Sequence, residues 1–212
     1  MSKRSVDEIL DIIQVMFPYA KAELDHQNPY QLTVAVILSA QATDVSVNQV
    51  TPALFKRYPT IYELADADIH ELESLIKTIG LYRNKARSLI GMAQKVVNDH
   101  DGVIPNRHRD LLKLDGVGQK TANVIVSVAF DQPAIAVDTH VSRVAKRLML
   151  VKENDDVIKI EHKLKRKIKR ERWSSAHHLF IFFGRYHCKA VNPNCSRCPF
   201  VDQCRYTKKA IR

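Results

Sequence analysis

Cysteine is absent from the first 187 residues of this chain, so its body is not stapled by disulfides. No apolar run approaches membrane-spanning length, which argues against a membrane-embedded helix or a membrane partner. Low-complexity tracts and repeats of roughly 20–50 residues are missing too, which excludes solenoids and compositional linkers. There is no apolar leader, since Met1-Ser2-Lys3-Arg4 runs straight into Ser5-Val6-Asp7-Glu8. The expectation is a cytoplasmic protein whose thiols stay reduced.

What is present is basic charge. Lys and Arg number 33 against 23 Asp and Glu, a net charge of +10 with pI near 9.5. Acidic residues remain numerous enough to indicate a folded domain with a basic face, and nucleic acid is a better partner for it than anionic lipid. At 212 residues and 45% hydrophobic, the chain supports one substantial domain or two small ones.

The pattern reads as helix after helix. Ser5-x-x-Glu8 is a capping box, followed by Ile9, Ile12, Ile13 and Met16 at helical spacing until Pro18. Asn28-Pro29 caps a segment, Tyr30 to Ala42, that is apolar on nearly every side and reads as a buried helix. Asp44 opens the next helix, which closes near Tyr58-Pro59. Thr60-x-x-Glu63 and Asp68-x-x-Glu71 are further capping boxes, the latter helix ending at Gly80. Tyr82–Asn98, Asn106–Lys113, Gln119–Phe130, Thr139–Leu150, Asp155–Lys169 and Ser174–Tyr186 complete the set. Val124-Ile125-Val126 could pass for a strand, but no partner strand with turn signals is nearby, so the fold class is all-α.

Three segments carry chemistry. Cys188, Cys195, Cys198 and Cys204 stand as C-x6-C-x2-C-x5-C on one short, loop-rich stretch, a pattern that holds a soft metal centre. Zinc and a [4Fe–4S] cluster both take four cysteines; the wide gaps favour the larger cage modestly. Leu114-Asp115-Gly116-Val117-Gly118-Gln119-Lys120 puts two glycines between a short helix and a long one. Backbone N–H groups can point outward there and bind a phosphate, although an ordinary helix–helix turn would look similar. Lys120 falls in the first helical turn, where the dipole makes it a poor structural cation. It suits an amine nucleophile, or a simple contact to DNA phosphate. Asp138, in Val137-Asp138-Thr139-His140, is a natural N-cap, and a carboxylate facing an amine is also a general acid–base pair in outline. The run Lys163, Lys165, Arg166, Lys167, Lys169, Arg170 and Arg172 reads as a solvated face that lends some phosphate affinity.

Taken together, these segments resemble the endonuclease III family of DNA glycosylases. Leu114–Phe130 is similar to its helix–hairpin–helix, Ala136-Val137-Asp138-Thr139-His140-Val141 to its catalytic aspartate segment, and the cysteine run to its iron–sulfur loop. Leu38-Ser39-Ala40-Gln41-Ala42-Thr43-Asp44 and Ile79-Gly80-Leu81-Tyr82-Arg83-Asn84-Lys85-Ala86 match two more segments, so the likeness spans nearly the whole chain. The resemblance implies a helix–hairpin–helix DNA glycosylase fold of two helical domains with a DNA-binding cleft between them. One would be a six-helix domain over residues 22–133; the other would join residues 1–21 to 134–212. It also implies a bifunctional DNA glycosylase and AP lyase that removes oxidised pyrimidines from duplex DNA. Lys120 would be the nucleophile and Asp138 its acid–base partner. Gly116, Val117 and Gly118 would hold DNA phosphate, and Gln41 and Leu81 would fill the gap left by a flipped nucleotide, although loop packing alone could also explain these two. Cys188, Cys195, Cys198 and Cys204 would ligate a [4Fe–4S] cluster, with Lys189 and Arg197 facing the DNA backbone. The chain would act as a monomer on double-stranded DNA carrying a damaged base or abasic site, near the nucleoid in a bacterium.

Two positions depart from the family. Asp115 stands where proline is usual, and Gln119 where a basic residue is common; weaker DNA binding or a steeper salt dependence is expected. The adenine and mismatch-thymine branches of the superfamily are rivals that lack the lysine. The former also carries an extra C-terminal domain, whereas this chain ends eight residues after Cys204. A non-catalytic helical DNA-binding module with a structural metal is the third alternative.

Overall fold

A computed structural model describes residues 4–206. Met1, Ser2, Lys3 and residues 207–212, on which the readings of leader and chain end partly rest, lie outside the described residues. Eleven α-helices and no strand occur among the described residues, and Val124-Ile125-Val126 lies within a helix. Two compact units emerge: Glu23–Gln132, and the residues on either side of it.

Glu23–Gln132 contains α2 (Pro29–Leu38), α3 (Asp44–Arg57), α4 (Ile61–Ala65), α5 (Ile69–Leu75), α6 (Tyr82–His100), α7 (His108–Leu111) and α8 (Gln119–Ala129). The all-apolar α2 has no face to offer water, so it runs through the centre with every residue from Leu32 to Leu38 buried. It packs on α3, α6 and α8, and α4 lies along α6. Ala122, Ile125 and Val126 give α8 one buried face, leaving its first turn in solvent. That face is what aims the glycine turn outward.

The second unit joins α1 (Val6–Met16) to α9 (Thr139–Arg147), α10 (Val157–Lys167) and α11 (Trp173–Phe182). Ile9, Leu10 and Ile13 of α1 share a core with Val141, Val144 and Ala145 of α9 and Leu179 and Phe180 of α11. A π-helical turn, Phe183–His187, then delivers the chain into the cysteine segment. Phe200 returns to that core edge-on to Phe183, with ring centroids 5.5 Å apart. The cysteine segment is therefore anchored at both its start and its middle.

The capping boxes at Ser5–Glu8 and Thr60–Glu63 form as the sequence predicts. At Asp68 only half forms. Asp68 caps Glu71 N–H, but the Glu71 carboxylate is drawn away to Arg57 Nε, at 2.6 Å, and to Tyr58 Oη. The helix expected over Tyr30–Ala42 stops at Leu38, because Gln41 adopts a left-handed backbone, φ 56°, that an α-helix cannot continue through. Asn106–Lys113 contains only the short α7. The expected Asp155 start shifts to Val157: Asp156 supplies the cap, while Asp155 turns to Lys163.

Candidate active site and cysteine loop

The glycine turn is held by its middle residue. Val117 is buried and its N–H donates to Leu114 O at 3.2 Å, while Gly116 and Gly118 on either side are exposed. Gly116 has φ 75°, and a Cβ there would stand 3.0 Å from Ser88 Cβ and 3.1 Å from Ile37 Cγ2, so glycine is required by conformation and by space. Gly118 is different. Its backbone is extended and a Cβ would meet nothing within 4 Å, so the fold leaves open space beside it. Among the described residues the N–H groups of Gly116 and Gly118 meet no acceptor, and the first N–H groups of α8 lack intrahelical partners. Unpaired donors of this kind, at the positive end of a helix, are suited to receiving an anion.

Lys120 is the second residue of α8, exposed, with no carboxylate paired to it among the described residues. Asp115 is ion-paired to Lys95, Nζ to Oδ1 2.6 Å, both about half exposed. Its negative charge near the anion site is thus countered by a neighbour that sequence reading did not identify.

Gln41 and Leu81 share an uncommon feature: both are exposed, and both have left-handed backbones, φ 56° and 60°. Leu81 is 57% exposed, on a turn that enters α6 directly. That exposure leaves loop packing, not core packing, as the structural alternative for these two side chains.

In the other unit Asp138 caps α9, its Oδ1 accepting from Val141 N–H at 2.8 Å. The helix it opens is fastened to the cysteine segment. Arg143 donates to Gly184 O at 2.7 Å and to Cys188 O at 3.0 Å. Arg147 donates to Lys189 O at 2.7 Å and to Cys188 Sγ at 3.3 Å, with Tyr206 stacked 3.8 Å from its guanidinium. Gly184 is needed for this approach, since a Cβ would lie 2.9 Å from His140 Cβ. The basic residues of α9 thus include two that build the loop, a role invisible in sequence because the partners are some 41 residues away.

Cys188, Cys195, Cys198 and Cys204 are free thiols lining one cavity with Phe183 and His187. No group of three or more His, Cys, Asp or Glu side chains among the described residues is gathered for a single metal ion. Burial pushes the Cys198 thiol up to about 11 and raises Cys188 as well. His187, stacked on Phe183 at 5.0 Å, has a buried Nε2 without a partner, and burial lowers its pKa. Lys189 and Arg197 of this segment are exposed. In the basic run, Lys163 pairs with Asp155, Lys165 with Glu161, and Arg172 with Asp7 and Asp11, so these three are structural and not a free solvated face.

The helix-flanked glycine turn and the Asp138 segment both fall within one matched scaffold. Residues 34–170 match the family described as HhH-GPD superfamily base excision DNA repair protein. Within that class the chain belongs to the endonuclease III family. It is 49% identical over 209 residues to endonuclease III of Bacillus subtilis strain 168, covering 99% of this chain and 95% of the relative. Endonuclease III of Escherichia coli K12 is 39% identical over 209 residues, covering 99% of each. A solved trapped endonuclease III–DNA covalent intermediate superposes with a TM-score of 0.96 at 48% identity, covering 100% of both chains.

Proposed function

We infer that Lys120 and Asp138 carry both reactions of this family. The chain is a bifunctional DNA glycosylase and AP lyase of base excision repair. Its substrate is double-stranded DNA bearing an oxidised pyrimidine or an abasic site. Lys120 Nζ attacks C1′ of the flipped nucleotide, and the glycosidic bond breaks with its electron pair leaving on the base. The C1′–O4′ bond then breaks, the ring oxygen taking up a proton, to leave an imine that acidifies a C2′ proton; loss of that proton expels the 3′ phosphate by β-elimination. Asp138 takes the surplus proton of Lys120 or faces the cationic sugar. Gly116, Val117 and Gly118 hold a backbone phosphate, and Gln41 and Leu81 enter the vacated stack. The single observation that carries this reading is an exposed, unpaired lysine two residues past a glycine turn with unsatisfied backbone donors. A relative trapped covalently on DNA supports the amine step.

Four cysteines around one cavity, with an orphaned imidazole nitrogen facing no protein partner, fit a group larger than one ion. Buried thiols are poor anions by themselves, so a cationic centre is what would hold them as thiolates. The group proposed is a [4Fe–4S] cluster on Cys188, Cys195, Cys198 and Cys204. Its contribution when bound is to fix the loop that carries Lys189 and Arg197. We take residues 22–133, which hold the hairpin and seven helices where six were expected, as one domain and the remainder as the other, acting as a cytoplasmic monomer.

The test is borohydride trapping on a duplex with one thymine glycol or abasic site. A covalent adduct is expected, and its loss in Lys120→Ala. No adduct from wild-type protein with the cluster's brown colour would point to a monofunctional glycosylase or a binding module.

A further inference from the structure

We propose that Lys85 is a positioning residue that sets Gln41 and Leu81 as one unit for entry into the DNA stack. The inference rests on the wedge reading of those two residues and adds the device that holds them. Lys85 is only 6% exposed, and its ammonium donates to Leu38 O at 2.8 Å. Leu38 is the last residue of α2, three positions before Gln41. The backbone N–H of the same lysine donates to Leu81 O at 3.1 Å. One residue therefore grips both turns, one through its side chain and one through its backbone.

Two physical facts argue that this is more than packing. A left-handed backbone at a non-glycine residue is disfavoured and persists only where surroundings fix it; here it occurs on both turns. A buried ammonium is costly unless paired, and among the described residues Lys85 forms no ion pair, only the carbonyl contact. Burial lowers its pKa accordingly. The negative end of the α2 dipole recovers part of that cost. Replacing the lysine alone by an apolar side chain of similar length removes that cost but strips Leu38 O of its hydrogen bond, so the tie between the end of α2 and the opening of α6 is what such a variant loses. That tie joins the two turns that carry Gln41 and Leu81.

The experiment compares full-length wild type, Lys85→Met and Leu81→Ala by single-turnover base removal on duplex thymine glycol. The lyase rate is read on a single-stranded abasic oligonucleotide, which has no stack to fill. For Lys85→Met we expect a folded protein with a modestly lower thermal midpoint, a duplex rate lowered about 10-fold or more, and a single-strand rate within about 2-fold of wild type. A duplex rate within 2-fold of wild type overturns the proposal, as does a parallel fall on both substrates. If Leu81→Ala leaves the duplex rate intact, the wedge reading itself fails; if it lowers the rate and Lys85→Met does not, only the Lys85 role fails. Should Lys85→Met not fold, Lys85→Gln takes its place under the same criteria, and failure of both to fold would mark Lys85 as structural and overturn the proposal.

Discussion

In the proposed mechanism Asp138 meets two demands with one carboxylate, and the geometry lets them be separated. As the N-cap of α9 its Oδ1 accepts from Val141 N–H, which an asparagine carbonyl can reproduce and an alanine cannot. As acid–base partner it needs its charge, which asparagine lacks. Asp138→Asn should therefore stay within about 0.5 kcal/mol of wild type in urea unfolding, while Asp138→Ala should lose about 1 kcal/mol. Both should lose about 100-fold or more in single-turnover base removal, the range of a general acid–base group. An Asp138→Asn enzyme of near wild-type rate would reduce this residue to a cap. Gln41 and Leu81 show the limit of residue-scale reading. The family resemblance put them forward as candidates, but their left-handed backbones were not legible, because no side-chain pattern announces a non-glycine residue at positive φ.

Elements were most legible where their signals are local. Ser5–Glu8 and Thr60–Glu63 each satisfy two backbone donors within four residues, so sequence spacing alone specifies them. Glu71 and Asp155 misled because tertiary partners outbid the local one. Asp155 accepts from Lys152 N–H at 2.7 Å and from Lys163 Nζ at 2.6 Å, tying the loop before α10 to the body of that helix. The hydrogen bond from Lys163 leads the causes holding its carboxyl below the usual carboxylate range. A depressed folded pKa means that the stabilisation is present above the unfolded value, about 3.9, and is lost as pH falls through the folded value. The stability gap between wild type and Asp155→Asn should thus be constant above about pH 5 and shrink below about pH 4. Chemical denaturation at stepped pH measures it; a gap that persists undiminished to pH 2 would contradict the assignment.

At the scale of the whole molecule, the net charge of +10 spoke early for nucleic acid, but charge counts do not say which cations are free. Arg143, Arg147, Lys163, Lys165 and Arg172 are engaged by carbonyls, a thiol or carboxylates, and Lys95 is held by Asp115. The share of positive charge available to phosphate is smaller than the sequence suggests, and Asp115 is where it can be raised. The Asp115 N–H makes no backbone hydrogen bond among the described residues, so proline, the usual family residue there, breaks none. An exposed ion pair contributes about 0–1 kcal/mol, so Asp115→Pro should remain folded. It removes a negative charge from the rim of the anion site and releases Lys95, which can then neutralise one more phosphate. Each such contact adds about −0.9 to the slope of log K against log salt. Asp115→Pro should bind abasic duplex more tightly at low salt, with a slope steeper by about one, so the Lys95–Asp115 pair makes the native dependence the shallower one, not the steeper one that the sequence allowed; the two proteins should converge as salt rises. Equal or weaker binding at matched low salt would show that the Lys95–Asp115 pair is not what limits phosphate contact at this hairpin.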